Sequence, residues 1–300
     1  MRNNEELYWP IMPRLQERVD ILILGAGWTS TFLIPLLERE GYTYAATTTD
    51  GRNGTIPFKF DPGSDDPEPF ELLPPARTAL IVFPLKGHGE ASQFLMLYRN
   101  TRHSDGLPHF IQLGVTSIWT AETWQDETSP YDKENPRAIA EDELMAHSSA
   151  SVLSLAGLYG GARQPRDWLT RVIKSKGELK AKGALHVVHG EDVARAIVAL
   201  HRTFTPGKRW LLCDTHVYDW WDLAQDWATQ ALKDAEKGGA STISPERVEQ
   251  YNKMLSWVGE LMVEEDVRAL PRDTSSVGRR LDGRGFWKFM RIWPTQGRIR

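Results

Sequence analysis

The segment Ile21-Leu22-Ile23-Leu24-Gly25-Ala26-Gly27-Trp28-Thr29-Ser30 constrains the fold of this 300-residue chain more than any other. An apolar run enters a glycine turn and an amphipathic stretch follows, so the residues predict a strand, a tight turn and a helix. Gly25 permits the turn. Gly27 leaves the backbone bare where an anion can approach the free N–H groups of the helix start. Ser30 takes the third small position and still allows fairly close helix–strand packing. Directly after an apolar strand, this arrangement predicts a diphosphate cradle built from Gly25, Ala26, Gly27, Trp28, Thr29 and Ser30, and with it a dinucleotide cofactor. A plain structural turn is the alternative.

The pattern around this segment repeats it. A strand over Val19–Leu24, a helix over about Thr29–Arg39 and a second strand near Thr43–Thr48 lead into a polar, proline-rich stretch, Asp61–Pro75, read as loop plus a short helix. Ala79–Pro84 is a continuous apolar run, hence a buried strand, with Ala91–Arg102 as its helix. Further strands are expected at His109–Leu113, Ser151–Leu158 and Arg209–Cys213. Such alternation implies a parallel sheet covered on both faces. With 41% hydrophobic and 25% charged residues, the chain can bury a substantial core. Its formal charge of −4 makes no case for nucleic acid or an anionic membrane surface. Cys213 is the only cysteine, so neither an intrachain disulfide nor a cysteine-cluster metal site is expected. Residues Met1–Asp20 are polar, with Pro10 and Pro13 interrupting them, and do not read as a secretory signal. A soluble, cytoplasmic monomer or homodimer acting on a small molecule is the expectation.

The end of the second strand bears on which dinucleotide is held. An acidic residue there would bind the ribose hydroxyls of NAD. Thr47, Thr48 and Thr49 are neutral, and Asp50 falls about 20 residues past Ser30, in the following loop. Arg52 is close enough to pair with a 2′-phosphate, helped by the hydroxyls of Thr48 or Thr49. The reading favours NADP, with NAD as the alternative. Pro84, closing the third apolar run, is placed beside the cofactor.

Two later stretches add a family resemblance. Ser154-Leu155-Ala156-Gly157-Leu158-Tyr159-Gly160-Gly161-Ala162-Arg163 and Val188-His189-Gly190-Glu191-Asp192-Val193-Ala194-Arg195-Ala196-Ile197 follow the glycine turn in order. They resemble the L-R-x-A-G-x-Y-G-x-G-R and H-x-x-D-V-A-x-A segments of extended short-chain dehydrogenases, the nucleotide-sugar epimerase/dehydratase superfamily. The likeness runs from about Val19 to Trp227. It implies a Rossmann-type doubly wound parallel sheet with a smaller C-terminal substrate lobe: an arm over 1–18, a cofactor domain over 19–160, and a mixed region over 161–300 whose residues near 184–214 return to the sheet. It also implies catalysis by a Ser or Thr, a Tyr and a Lys, the last two spaced Y-x-x-x-K, with the lysine lowering the tyrosine pKa.

That equipment is missing. No Y-x-x-x-K occurs in the 300 residues. Val115 stands at the usual hydroxyl position, with Thr116 and Ser117 as substitutes. The helix expected to carry the pair reads Arg137-Ala138-Ile139-Ala140-Glu141, and this R-x-x-x-E resembles an atypical, epimerase-like branch of the superfamily. Arg137 and Glu141 share one helix face. Arg137 is expected to clamp a phosphate or carboxylate, with Glu141 orienting it or acting as base; an exposed ion pair is the bland alternative.

Tyr131, near Lys133, is a stand-in acid or, more simply, a packing residue. His186 and His189 fall on a strand and point to opposite faces, so they do not chelate together, and no metal is expected. Arg163, at the mouth of the expected cleft, is placed against an anionic substrate. Ser244 and Pro245 open a helix striped by Val248, Tyr251, Leu255, Val258 and Met262, and Trp220, Trp221 and Trp227 sit on another over Tyr218–Leu232; both faces read as core. The combined expectation is an NAD(P)-dependent oxidoreductase or epimerase with an altered site for a small, sugar-like or anionic substrate. A non-catalytic NAD(P) sensor is the second reading.

Overall fold

The computed structural model describes residues 17–102, 106–237 and 243–299. Most of the expected arm over 1–18 therefore lies outside the described residues. Seven parallel strands form the central sheet: β1 Val19–Leu24, β2 Tyr44–Thr48, β3 Ile56–Pro57, β4 Ala76–Ile81, β5 His109–Val115, β6 Ala150–Leu155 and β7 Arg209–Leu212. Their order across the sheet is β7-β6-β5-β4-β1-β2-β3, so the chain reverses its direction of travel beside β1. The crevice where the order reverses is the place at which open parallel sheets bind ligands.

Strand alternation decides how the helices are dealt out. Ile21, Ile23, Leu80, Ile111 and Leu153 face one side and pack against α1 (Ser30–Glu40), α4 (Gly190–Arg202) and α7 (Arg284–Met290). Leu22, Leu24, Ala79, Ile81 and Phe110 face the other, against α2 (Glu90–Asn100) and α3 (Pro136–His147). Both faces are apolar and both are covered, as parallel strands require. The α3 start is fixed by Asn135, whose side chain accepts from the Arg137 N–H at 3.0 Å, followed by Pro136 in the first turn. A smaller lobe packs α5 (Trp220–Glu236) on α6 (Pro245–Glu264), burying Trp220, Trp221, Trp227, Met254, Val258 and Leu261. Ser244 does precede α6, yet its side chain makes no capping bond.

Two strands depart from expectation for stated reasons. β4 begins at Ala76 and ends at Ile81, whereas the apolar run suggested Ala79–Pro84. Its early part is hidden by Thr78, a buried hydroxyl bonded to His201 Nδ1 at 2.8 Å. The run Ser151–Leu158 is two strands, β6 and Gly157–Tyr159. At Ala156 the chain changes partner: the Ala156 N–H donates to the Leu212 carbonyl and the Gly157 N–H to that of His186. Gly157–Tyr159 then pairs with Val187–His189, outside the main sheet. Among the described residues no helix is long and apolar enough to cross a membrane, and no cluster of three His, Cys, Asp or Glu could hold a metal.

Candidate functional site

Leu24 delivers the chain into a turn that only glycine takes without strain: Gly25 has φ +98°. The turn is tied to β2 by Thr47, whose hydroxyl accepts from the Gly25 N–H at 2.9 Å and whose carbonyl accepts from that of Ala26. The first helical bond runs from the Ser30 N–H to the Gly27 carbonyl. The amides of Gly27, Trp28 and Thr29 therefore precede the helical ladder, and a Cβ on Gly27 would meet nothing within 4 Å. This open backbone with its unspent donors fits a diphosphate.

Next to it lies a cavity of about 300 Å³ at the carboxyl ends of β4, β5 and β6. Trp28 and Thr29 form one wall, Val82, Gly114, Val115 and Ala156 supply strand ends, and Arg137 and Arg163 supply two guanidinium groups. The Trp28 indole N–H donates to the Gly160 carbonyl at 3.2 Å, and the Arg163 guanidinium lies 4.5 Å from the Trp28 ring centre. The first turn and the 157–163 segment are thus joined over the cavity by one aromatic ring. Leu113, Leu155 and Leu158 complete an apolar lining.

Arg137 is held from beneath. Its guanidinium donates to the Leu113 carbonyl at 2.7 Å and to Glu141 at 3.4 Å. Glu141 is enclosed, at 1% exposure, and its second oxygen takes Arg209 from β7. Arg209 also donates to Asp142 at 2.8 Å and lies 4.8 Å from the Tyr131 ring centre. The Tyr131 hydroxyl donates to Asp142 at 2.9 Å. Gly114 makes this possible, since a Cβ there would come within 2.8 Å of Glu141. Burial lifts the Glu141 carboxyl above the ordinary range, against the pull of Arg209 and Arg137. For Arg209 burial opposes the charge, and Glu141 and Asp142 more than restore it.

The expected site residues thus fall into groups. Trp28, Thr29, Arg137 and Arg163 meet at the cavity, flanked by the turn Gly25-Ala26-Gly27 and by Ser30, which is buried. Glu141 is not on its wall; it sits beneath, enclosed by two arginines. Thr116 is buried with its carbonyl accepting from Arg279 at 2.9 Å, and Ser117 points to solvent; neither lines the cavity. Thr48 bonds Asp50 and Thr55, Arg52 pairs with Asp50 at 2.9 Å, and Thr49 and Pro84 are exposed. Sequence reasoning missed Arg209 and Asp142, since nothing local marks β7 as the source of a charge beneath α3.

A second polar group lies beyond Ala156. His186 accepts from the Leu281 N–H through Nε2 at 3.1 Å, while His189 caps α4 through Nδ1, so the two histidines serve separate elements. Burial, with Arg279 nearby, holds the His186 imidazole down to about 4. Burial likewise lifts Asp214 to about 6, against bonds from the His216 N–H and the Tyr218 hydroxyl. These shifts act on stability in opposite directions. The Asp214 contribution is full below pH 3.8 and is lost as pH rises through 6; that of His186 is full above pH 6.5 and is lost as pH falls through 4. Asp214→Asn is therefore expected to add, relative to wild type, a rise in stability on the order of 3 kcal/mol between pH 4 and 6. Urea denaturation across that window measures it, and parallel profiles for variant and wild type would remove the account.

Comparison with protein-family models and with curated proteins finds no match. Solved structures do match in fold. A functionally unknown conserved protein from Silicibacter pomeroyi is 18% identical with a TM-score of 0.58, over 94% of this chain and 95% of that one. RMD from Pseudomonas aeruginosa, complexed with NADPH, is 11% identical with a TM-score of 0.56, over 93% of each chain. Vestitone reductase from alfalfa is 14% identical with a TM-score of 0.53, over 83% of this chain and 99% of that one. With the seven-stranded sheet and the turn already described, the chain has a Rossmann-type fold, which it shares with these structures.

Proposed function

We propose that this chain binds NAD(P) along the carboxyl edge of its sheet and acts as an oxidoreductase or epimerase-like protein on a small, anionic or sugar-like substrate. One observation carries the reading: the open turn at Gly27–Thr29 leads directly into a cavity bearing two guanidinium groups and, among the described residues of its wall, no carboxylate. A nicotinamide dinucleotide, when bound, supplies hydride exchange. The amides of Gly27, Trp28 and Thr29 bind its diphosphate at the α1 start. Trp28 and the leucines exclude water. Arg137, fixed by Leu113 and Glu141, stabilises an oxyanion on the substrate with a charge that does not need to reorganise. Glu141 acts through Arg137 as a positioning residue, and a water molecule moves the proton in place of the missing tyrosine. NADP is favoured by Arg52, exposed just past β2 and able to exchange Asp50 for a 2′-phosphate; the NADPH held by the Pseudomonas neighbour lends support to the cofactor class.

Calorimetric titration with NADPH and NADH tests the cofactor, with tighter binding of NADPH expected; absence of binding by both overturns the reading. Arg137→Met is expected to lower kcat/KM by about 100-fold, as the loss of one preorganised oxyanion donor does elsewhere. A second reading, a non-catalytic dinucleotide sensor, is favoured by the engagement of the Tyr131 hydroxyl with Asp142 and of Glu141 with Arg209. Dinucleotide binding without NADPH oxidation by any aldehyde, ketone or nucleotide sugar would select it.

A further inference from the structure

One side of the cavity is not built into the sheet. Val82, Gly114, Val115 and Ala156 lie at strand ends, and Arg137 is held by Leu113 and Glu141. The remaining side is Trp28 with Arg163. Tyr159 is still paired with His189 in the short outer ladder. At Gly160 and Gly161, with φ +115° and +55°, the chain turns back, closed by reciprocal bonds between Gly160 and Arg163 at 2.9 and 3.0 Å. Two left-handed glycines directly after a fixed ladder are a place where a change of direction is easily absorbed. Among the described residues, one hydrogen bond ties 160–163 to any part of the chain outside 159–164: the Trp28 indole N–H on the Gly160 carbonyl. The Arg163 guanidinium on the face of the same ring adds a second contact. Trp28 is backed in turn by Phe32, edge to face with ring centres 4.9 Å apart.

The cavity holds about 300 Å³. That is the lower end of the range for pockets enclosing a single drug-sized ligand. A nicotinamide ribose together with a substrate needs more room, and the sheet side does not yield. We propose that the contact of Trp28 with Gly160 and Arg163 is a clasp that opens to admit the dinucleotide and closes behind it, so that it sets the rate of cofactor exchange. This inference rests on the cofactor reading given above. The clasp is weak enough to open, since a net hydrogen bond and an exposed cation–π contact each favour the closed form by a factor of about 2–10. The contact is made with and without the cofactor, so weakening it speeds entry and departure equally and leaves the affinity alone. A side chain that merely touches the bound cofactor behaves differently: its loss speeds departure, leaves entry unchanged and weakens affinity.

The test compares the full wild-type chain with two variants. Trp28→Phe keeps a ring beneath Arg163 and loses the indole N–H; Arg163→Gln keeps the indole bond and loses the cation. Stopped-flow fluorescence of NADPH gives the rate of association, and displacement of bound NADPH by excess NADP+ gives the rate of dissociation. Both rates should rise by about fivefold in Trp28→Phe and about threefold in Arg163→Gln, with the affinity within about twofold of wild type. Melting temperatures close to that of wild type check that the variants fold. A second readout needs no cofactor. Solvent exchange of the Trp28 indole N–H, followed by NMR in the isotopically labelled protein and identified by its absence from Trp28→Phe, should be slowed in wild type and should quicken by about threefold in Arg163→Gln. Rates unmoved by either variant, or faster departure with unchanged entry, overturn the clasp, as does an indole N–H that exchanges in wild type as freely as in the unfolded chain. If wild type binds no NADPH, the cofactor reading falls and the clasp's role in exchange falls with it, while an indole still protected in an Arg163-dependent way shows that the contact itself was read correctly.

Discussion

Replacing Glu141 by Gln should lower the melting temperature by about 10 °C. The carboxylate is enclosed and answers both Arg209, itself 5% exposed, and Arg137. Gln keeps the shape and removes the charge, so Arg209 loses one of its two carboxylates at a buried position. Breaking a buried pair from one side costs about 3–5 kcal/mol, because the remaining charge stays out of water without compensation. For a chain of this size each kcal/mol is about 2–4 °C. Arg209→Met alone should be comparably damaging, leaving Glu141 with only the longer 3.4 Å contact to Arg137. The double variant Glu141→Met/Arg209→Met should be more stable than the sum of the single changes, since an apolar pair of similar volume avoids both desolvation costs. Thermal and urea unfolding of the three variants measure this. A Glu141→Gln shift within 2 °C of wild type would mean that the buried charges are less coupled than their distances imply.

That network also marks where sequence reasoning stopped. β1, its glycine turn and α1 were legible because strand, turn and helix are determined within 22 residues by apolar periodicity and one obligatory left-handed position, Gly25. The doubly wound sheet was legible for a similar reason, since β1, β4 and β5 carry apolar residues on both faces. The Arg137–Glu141 pair was visible from its i, i+4 spacing. Its environment was not: Arg209 arrives from 68 residues away, and it makes Glu141 an internal anchor where helix geometry alone allowed a base or an exposed ion pair. Trp28 illustrates the same limit. Its place in the turn was plain, while its indole bond to Gly160, 132 residues on, and its stacking with Arg163 exist only in three dimensions. The break at Ala156 had no local signal either, because apolar residues continue across it while the hydrogen-bonding partner changes.

Gly27→Glu should abolish dinucleotide binding while leaving the fold intact, and the two halves of that statement come from different facts. No atom lies within 4 Å of a Cβ placed on Gly27, and its φ is not among the positive values of the turn, so a side chain there meets open space. The melting temperature should therefore stay within a few degrees of wild type, as for a typical surface substitution. The same open space is where a diphosphate would approach the amides of Gly27, Trp28 and Thr29. A carboxylate placed among those amides satisfies them itself and repels the incoming anion, and like-charge contact at a desolvated site costs several kcal/mol. Affinity for NADPH should fall by at least about 100-fold, equivalent to about 2.7 kcal/mol. Gly27→Ala is the control: it adds volume without charge and should weaken binding far less. If Gly27→Glu binds NADPH as wild type does, the diphosphate does not lie on the α1 start, and Arg137 and Arg163 would have to be read as belonging to a site of another kind.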